Sequence, residues 1–423
     1  MIVLSGATLV LPDRLLSPGT LVIDDGRIVE IRSDAPGAQP QSHFAFHGHY
    51  IVPGFVDVHV HGIEGVDTLD ADDPIAAMAA RLPRYGVTAF CPTTVACAPD
   101  ALRRVLDQIR RARATPMARA ARVLPAHLES NFVNPDYKGA QPAACLRSPR
   151  SALAPVGGAG GSGKAGRAGG AGGTGRGDTE FTGADILAEI ARAAPDVGIV
   201  TLASELDGGL DLIRWLSERG HRVSLGHSAA TFDEATAAIA AGARQATHLF
   251  NRMPPVTHYA PGLAGAVLQT EEIAAEVVCD GAHVHPAMVR TAIAAKRPSR
   301  VMAITDGTAV SGLPRGSRAR LGGHQIVAGD TTALLPDGTV AGSLATMDRV
   351  FQTLVGAAGQ SLVDAAILCS TTPAREMGLV GYGLLAPDAS ADLVVLDATL
   401  GVVQTYVGGN LVYARNNALT APV

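Results

Sequence analysis

The chain has 423 residues, of which 47% are hydrophobic and only 4% aromatic, and its net charge is −5. This length suits one large α/β domain with a smaller attachment, and the absence of a Lys/Arg run argues against a nucleic-acid partner. No stretch of about 18 unbroken apolar residues occurs, so we predict no membrane partner. The N-terminus lacks the basic region and apolar core of a signal peptide, and the five cysteines are scattered, so we expect a cytoplasmic protein.

The sequence patterns at both ends of the chain predict short strands and turns. Residues 19–31 predict a hairpin joined at an Asp-Gly pair, and residues 391–397 and 402–413 predict further strands. Two β-rich ends that frame a long middle can pair with each other. We therefore predict one small β-sandwich domain built from residues 1–52 plus 384–423.

Between these ends, over residues 53–383, strands alternate with helices. Ala-rich helical stretches such as 233–241 and 286–295 separate runs of apolar, strand-like residues. Eight such units predict a (β/α)8 TIM-type barrel, in which active sites lie at the C-terminal ends of the strands. The predicted strands are 55–61, 87–94, 122–130, 198–205, 222–228, 245–251, 275–281 and 301–307.

One segment departs from this alternation. Residues 157–177 contain 12 glycines, with Ser, Lys, Arg and Ala between them. Such a run cannot bury enough apolar surface to offset its backbone entropy, so we predict a flexible insertion in the barrel domain at about residues 150–180. A phosphate-binding loop is the alternative, but the required Gly-x-x-x-x-Gly-Lys-Ser/Thr spacing is missing.

The first predicted barrel strand ends in His59-Val60-His61. Alternate side chains of a strand point the same way, so the two imidazoles converge on one side of the strand end. Neutral imidazole is the commonest metal ligand. A lone His-x-His pair is, however, more often a feature of the surface or of chance than a metal site.

Further candidate ligands close later strands of the barrel. Glu129, His227 and His248 each follow an apolar run. Taken singly, Glu129 suits a surface salt bridge and His227 suits a hydrogen-bonded core histidine. Taken together at successive strand ends, they favour a site for one or two divalent metal ions per chain, with Zn²⁺ or Fe²⁺ matching the nitrogen and oxygen ligands.

Asp306 closes the eighth predicted strand. A carboxylate beside a metal can take a proton from water and later give it to a leaving group, so Asp306 is a candidate general acid/base. The alternative is a structural Asp that caps the following turn. Asn251 and His283 follow the sixth and seventh strands and are candidate polar contacts for a substrate, with a phosphate contact open to His283.

Several motifs together resemble one known family. The segment Pro53–Gly62, the His-Leu-Glu of 127–129, Gly226-His227-Ser228, the Thr-His-Leu-Phe-Asn of 247–251, the Pro-Gly-Leu-Ala-Gly of 261–265 and Thr305-Asp306 resemble those of the N-acetylglucosamine-6-phosphate deacetylases, in the amidohydrolase superfamily. The resemblance covers nearly the whole chain except the glycine-rich insertion.

This resemblance implies a metal-dependent barrel enzyme with a small β-sandwich, usually a homodimer, that acts on a small-molecule amino-sugar phosphate. It implies that Glu129, His227 and His248 hold the principal metal and that Asp306 is the general acid/base. His59 and His61 would hold a second ion. The implied substrate-binding residues are Ala140, Gln141, Asn251, Arg252, Tyr259, Asp280, His283, Leu344, Ala345 and Thr346.

Three positions depart from the family pattern. Ser130-Asn131 stands where the family has Gly-Pro, Gln141 replaces a histidine, and Tyr259 stands where a partner-subunit arginine grips phosphate. Arginine is the preferred bidentate reader of phosphate, so the change at Tyr259 weakens the phosphate assignment. Arg252, where relatives often carry alanine, is a candidate replacement.

The sequence therefore predicts a deacetylase that hydrolyses the acetamide of N-acetylglucosamine 6-phosphate to glucosamine 6-phosphate and acetate. A hydrolase of another N-acyl amino sugar, unphosphorylated or of the galactosamine type, or of an N-acyl amino acid is the nearest alternative. A catalytically silent binding protein is an alternative of another class.

Overall fold

A computed structural model describes residues 1–34, 44–153 and 180–415. The predicted glycine-rich insertion at residues 157–177 lies outside these ranges. Among the residues that the structure describes, no helix combines the length and the apolar character needed to cross a membrane.

The centre of the fold is an eight-stranded parallel barrel, as predicted. Each strand pairs with the next in parallel. A bridge between Val60 and Gly307 brings the first and eighth strands together, so the barrel is nearly closed. The strands are Phe55–Val60, Val87–Thr94, Ala126–Glu129, Val197–Leu202, Arg222–Leu225, Gln245–Ala246, Ala274–Val278 and Val301–Ile304, with Arg122–Val123 pairing beside the second.

Helices cover the barrel, and their ends follow local sequence signals. Helix Phe232–Ala241 begins at a reciprocal cap between Thr231 and Glu234, and prolines open several other helices. The α-helices are Pro74–Arg81, Pro99–Ala114, Pro149–Leu153, Gly183–Arg192, Gly209–Ser217, Phe232–Ala241, Gly262–Gln269, Pro286–Lys296, Met347–Gly356, Leu362–Ala366 and Thr372–Glu376. Ile367–Thr371 is a π-helical turn, and single 3₁₀ turns are Leu82–Tyr85, Pro135–Tyr137, Ala143–Cys145, Ala194–Asp196 and Pro298–Arg300.

Strands from both ends of the chain form one second sheet, which we call the terminal sheet. Its join is the antiparallel pairing of Leu393–Leu396 with Tyr50–Pro53, and its apolar core includes Leu4, Leu21 and Tyr406. The pairing of the two termini was predicted, whereas the domain boundaries 1–52 plus 384–423 and 53–383 stay predictions. In order, its strands are Asn410–Ala414, Val402–Val407, Leu393–Leu396, Tyr50–Pro53, Ile2–Val10, Leu15–Asp24 and Arg27–Ser33, with Phe44–Ala45 beside Ile2–Val10.

A four-stranded antiparallel sheet after the eighth barrel strand was not predicted. We call it the inserted sheet. Ser343 at its end donates its backbone N–H to the carbonyl oxygen of Asp306, at 2.8 Å, which places this sheet against the mouth of the barrel. Its strands are Arg318–Leu321, His324–Ala328, Thr332–Leu334 and Val340–Ser343, and a short hairpin pairs Gly62–Ile63 with Val66–Asp67.

Candidate active site

Three candidate residues lie just beyond barrel strands that end earlier than predicted. The strands end at Leu225, Ala246 and Ile304, and the backbone then enters the left-handed region at His227 (φ 48°), His248 (φ 31°) and Asp306 (φ 50°). Residues other than glycine adopt this region at a cost of order 1–3 kcal/mol, and such positions cluster at functional sites. This turn of the backbone aims all three side chains at the mouth of the barrel.

Glu129, His227 and His248 converge on one point. The Nε2 atoms of His227 and His248 lie 2.8 and 2.9 Å from Oε1 of Glu129, and 3.0 Å from each other. All three side chains are buried. Two imidazole nitrogens and a carboxylate oxygen in this arrangement are a typical ligand set for a divalent transition metal.

The hydrogen bonds of His227 show why this cluster suits a cation. Its Nδ1 lies 2.8 Å from the carbonyl oxygen of Tyr137, which only accepts, so Nδ1 carries the proton. In neutral imidazole the Nε2 atom then presents a lone pair, and it faces the carboxylate of Glu129. Two atoms with lone pairs repel unless a positive charge lies between them, so the residues present fit a bound metal ion.

A second group of ligand atoms lies beside the first. The Nε2 atoms of His59 and His61 are 3.2 Å apart, and each lies 3.4 Å from Oδ1 of Asp306. Ligands at tetrahedral positions 2.1 Å from a zinc ion are about 3.4 Å apart. Glu129 borders this group too, with Oε2 at 3.4 Å from Nε2 of His61. The two groups therefore share one carboxylate.

The local field in this pocket favours positive charge. Burial lowers the pKa of His59 and His61, but the carboxylates around them outweigh burial and raise these pKa values to about 9 and about 10. For Asp306, burial raises the pKa, whereas the hydrogen bond from His61 and the charges of His59, His61 and His248 lower it to about 2. The field that binds extra protons also favours a divalent cation.

Gln141 holds the second oxygen of Glu129. Its side-chain oxygen accepts the backbone N–H of Ala96 at 2.7 Å, which fixes the orientation of the amide. The amide nitrogen then donates to Oε2 of Glu129. Gln141, predicted as a substrate contact from the family histidine it replaces, thus also positions the carboxylate.

The two groups of ligand atoms open into a cavity of about 360 Å³. Its wall includes residues that were predicted from the sequence as substrate contacts and others that were predicted as metal ligands. Arg252 contributes its guanidinium, which donates to the carbonyl oxygen of Val340 at 3.2 Å. The predicted residues on the wall are His61, Glu129, Ala140, Gln141, His227, His248, Asn251, Arg252, His283 and Asp306.

Other predicted substrate contacts lie away from the cavity of this chain. Asp280 lies behind His283 and accepts its Nδ1–H at 2.7 Å, which raises the pKa of His283 although burial opposes this. Tyr259 is 78% exposed on the surface. Leu344 packs against the core of the inserted sheet, and Ala345 and Thr346 line a small neighbouring pocket. The roles of these five residues, like those of the residues on the cavity wall, stay predictions.

The structure also shows wall and support residues that the sequence reasoning missed. Glu276 is fully buried, and its carboxylate is hydrogen-bonded to Nδ1 of His59. A charged residue in the otherwise apolar strand Ala274–Val278 was the available signal. Thr332, Val340 and Gly342 of the inserted sheet line the cavity, and no sequence pattern in this segment pointed to the site.

Comparisons with known proteins agree with this geometry. Residues 50–412 match the amidohydrolase family. N-acetylglucosamine-6-phosphate deacetylase of Rattus norvegicus is 34% identical, over 98% of this chain and 95% of its own, and that of Bacillus subtilis is 30% identical, over 97% and 96%. N-acetylgalactosamine-6-phosphate deacetylase of Escherichia coli O157:H7 is 31% identical over 85% of this chain and 87% of its own.

A solved structure gives the same result. A variant N-acetyl-D-glucosamine-6-phosphate deacetylase of Mycobacterium smegmatis, in complex with N-acetyl-D-glucosamine-6-phosphate, has a TM-score of 0.83 to this chain at 31% identity, covering 98% of this chain and 99% of that one. Family match, relatives and structure coincide with a metal-type ligand cluster at the mouth of a parallel barrel. The chain belongs to the amidohydrolase family and, within it, to the N-acetylglucosamine-6-phosphate deacetylases.

Proposed function

We propose that this protein hydrolyses the acetamide of N-acetylglucosamine 6-phosphate to glucosamine 6-phosphate and acetate with the help of one or two divalent metal ions. The observation that carries the proposal is the convergence of Glu129, His227 and His248, beside Asp306, on the wall of one cavity. The relatives named for this reaction extend over nearly the whole chain.

Glu129, His227 and His248 would hold the principal ion, and His59 and His61 a second. Zn²⁺ and Fe²⁺ match these ligands. An ion bound here would supply a Lewis acid that polarises the acetamide carbonyl and activates water at neutral pH. The chain fixes its own ligands in place, because Tyr137 sets the tautomer of His227 and Gln141 holds Glu129.

Asp306 supplies the proton transfers. Its carboxylate lies on the cavity wall and is ionised at neutral pH, since its pKa lies well below its usual value. Ionised Asp306 takes a proton from the attacking water. It returns that proton to the amine nitrogen as the C–N bond breaks, so that glucosamine 6-phosphate leaves with a neutral amine and the acetic acid that forms loses its proton to solvent.

The phosphate group requires a cationic contact near the cavity mouth. Arg252 and His283 both line the cavity, and His283 takes a raised pKa from Asp280. Tyr259 lies on the exposed surface, which suits a residue that faces a second subunit of a homodimer. We infer that Arg252 takes over part of the phosphate contact within its own chain.

The galactosamine isomer is the second candidate substrate. The 31% identical Escherichia coli relative named for N-acetylgalactosamine-6-phosphate favours it. The two sugars differ only in the configuration at one hydroxyl group, which a single hydrogen-bonding residue can read.

Acetate release from three compounds tests the proposal. These are N-acetylglucosamine 6-phosphate, its unphosphorylated form and N-acetylgalactosamine 6-phosphate. We expect the highest kcat/KM for the first, and we expect His227→Ala to lose most of the bound metal and the activity. Preference for the free sugar, or metal-free wild-type protein on elemental analysis, would reject the proposal.

A further inference from the structure

Glu276 is a buried carboxylate that the reaction itself does not use. It lies in the barrel strand Ala274–Val278, on the face that it shares with Ala274 and Val278, and none of its surface is exposed. Burying a carboxylate is expensive unless its oxygens accept hydrogen bonds. Its hydrogen-bond partners therefore indicate what the residue does.

The partner of Oε1 of Glu276 is the side-chain amide of Gln245, and its orientation makes it a donor. Nε of Arg222 donates to the side-chain oxygen of Gln245 at 2.6 Å, which orients the Gln245 amide. The amide nitrogen of Gln245 then donates to Oε1 of Glu276 at 2.5 Å. One oxygen of Glu276 is thus held by the wall of the barrel.

The other oxygen of Glu276 contacts the candidate metal site. Oε2 lies 2.8 Å from Nδ1 of His59 and accepts the backbone N–H of His248 at 3.3 Å. Because a carboxylate only accepts, Nδ1 of His59 carries a proton. Nε2 of neutral His59 then presents its lone pair to His61 and Asp306, at 3.2 and 3.4 Å.

His59 differs in this respect from other histidines of the site. The Nδ1 atoms of His61 and His248 are buried and have no hydrogen-bond partner among the described residues. His59 therefore has a tautomer set by an anion. An anion behind a histidine also raises the basicity of the ligating nitrogen and holds the ring in place.

We propose that Glu276 is a positioning residue that fixes the tautomer and the orientation of His59, and so makes the His59–His61 pair competent to bind an ion. The inference rests on the proposed metal-dependent function and deepens it. Of the two groups of ligands, Glu276 contacts an imidazole only in the second. Its contact with the principal group of Glu129, His227 and His248 is the 3.3 Å hydrogen bond from the backbone N–H of His248, and that group has other supports in Tyr137 and Gln141.

The isosteric variant Glu276→Gln separates this role from packing. A glutamine offers one accepting oxygen where Gln245 donates to one carboxylate oxygen and His59 and the backbone N–H of His248 face the other, so it turns an NH₂ group toward one of these sides. The shape of the side chain is retained. Asp57→Asn is the matched control, because Asp57 is equally buried and also contacts His59, but only through the backbone N–H at 3.3 Å. Its other oxygen accepts from the Thr305 hydroxyl at 2.6 Å, and no imidazole of the described residues donates to it.

The experiment is a Co²⁺ titration of metal-free full-length protein, followed by absorption and by elemental analysis after dialysis. We expect two ions per chain for wild type and Asp57→Asn. For Glu276→Gln we expect the first ion to bind within about 3-fold of wild type and the second to bind 10- to 100-fold more weakly, the usual effect of losing such a support. The melting temperature of the metal-free variant should match that of Asp57→Asn.

Other results of the titration would overturn either the inference or the proposed function. Retention of both ions by Glu276→Gln, equal loss of both, or a wild type that binds one ion per chain would overturn the inference and leave the proposed function standing. A wild type that binds no ion would overturn the proposed function. If Glu276→Gln fails to fold, ¹⁵N-histidine spectra of metal-free wild type decide, recorded above the pKa of about 9 that the surrounding carboxylates give His59, where its imidazole is neutral. His59, assigned by the signal lost in His59→Gln, should then carry its proton on Nδ1, and a proton on Nε2 would overturn the inference.

Discussion

Two carboxylates in this site have different neighbours, and for that reason we propose different roles for them. Glu129 faces two imidazole nitrogens and a glutamine amide, so its oxygens are held for ligation. Asp306 has one oxygen at 3.4 Å from two imidazoles and lies on the cavity wall, so it can exchange a proton with a substrate. We therefore expect the same functional group to serve as a ligand in one place and as an acid/base in the other.

Asp306→Asn should separate chemistry from metal binding. The amide keeps the size of the side chain but cannot take a proton, so we expect kcat to fall by about 10²-fold or more. The principal ion, for which we propose Glu129, His227 and His248 as ligands, should remain. Turnover and metal content are measured on the same preparation, and near-wild-type turnover with intact metal would contradict the acid/base role.

Arg252→Ala should reveal the phosphate contact. A charge-assisted hydrogen bond contributes about 1.5–3 kcal/mol, which corresponds to a rise of about 10- to 150-fold in KM for the phosphorylated sugar. KM for the free sugar should change little. Arg252→Lys, which keeps the charge and loses the paired guanidinium donors, is the control. Its KM for the phosphorylated sugar should lie between those of wild type and Arg252→Ala. An unchanged preference for phosphate in Arg252→Ala would place the contact elsewhere, with His283 next.

At the scale of elements, the inserted sheet shapes the site from outside the barrel. Its last strand, Val340–Ser343, hydrogen-bonds to the backbone of Asp306 and bridges to Gly307. Gly342 in this strand has φ +87° and lies so close that a Cβ atom would meet the carbonyl oxygen of Asp306 at 2.8 Å. The position of Asp306, the proposed acid/base, therefore depends on this strand.

Gly342→Ala should lower both stability and turnover. The added methyl group would meet the Thr308 methyl at 2.6 Å and the carbonyl oxygen of Asp306 at 2.8 Å. The backbone around Asp306 must then shift, so we expect kcat to fall at least several-fold. Gly338→Ala is the control, since Gly338 also has a positive φ (+85°) but has nothing within 4 Å of the added Cβ. The control should show only the backbone cost, about 1 kcal/mol, with kcat unchanged. Equal kcat in both variants would show that the strand does not position Asp306.

At the scale of the whole molecule, the terminal sheet is tied to the barrel by a specific ion pair. Arg122, beside the second barrel strand, donates two hydrogen bonds of 3.2 Å to the carboxylate of Asp392. Asp392 is only 3% exposed and also accepts the backbone N–H of Gly408 at 2.5 Å. This contact lies next to the join between strands from the two ends of the chain.

Asp392→Ala should destabilise the protein without changing its chemistry. Loss of charged hydrogen bonds at a buried position costs about 1.5–3 kcal/mol, so the free energy of unfolding and the melting temperature should fall. Metal content and kcat at 25 °C should stay at wild-type values. Asp13→Ala, which removes an exposed pair with Arg14, should cost about 0–1 kcal/mol. Equal melting temperatures for the two variants would show that the ion pair between Arg122 and Asp392 contributes little to stability.

Much of the barrel and of the candidate site could be predicted from the sequence. Runs of Val, Ile and Leu with Ala-rich stretches between them predict buried parallel strands and covering helices, and the C-terminal ends of such strands meet at one edge. Polar residues that close these runs, such as His227, His248 and Asp306, were therefore expected to meet. The left-handed backbone at these residues was not predicted, since local sequence does not specify it.

Tertiary structure alone decided which side chains support the site. Glu276 and His59 are 217 residues apart, and Gln141 reaches Glu129 and Ala96 through a loop whose path no local pattern specifies. The same holds for the inserted sheet against Asp306. The sequence by itself determined the types of chemical group and the strand ends that carry them, because strand patterns are local. The distances and hydrogen-bond directions among them depend on how distant segments pack.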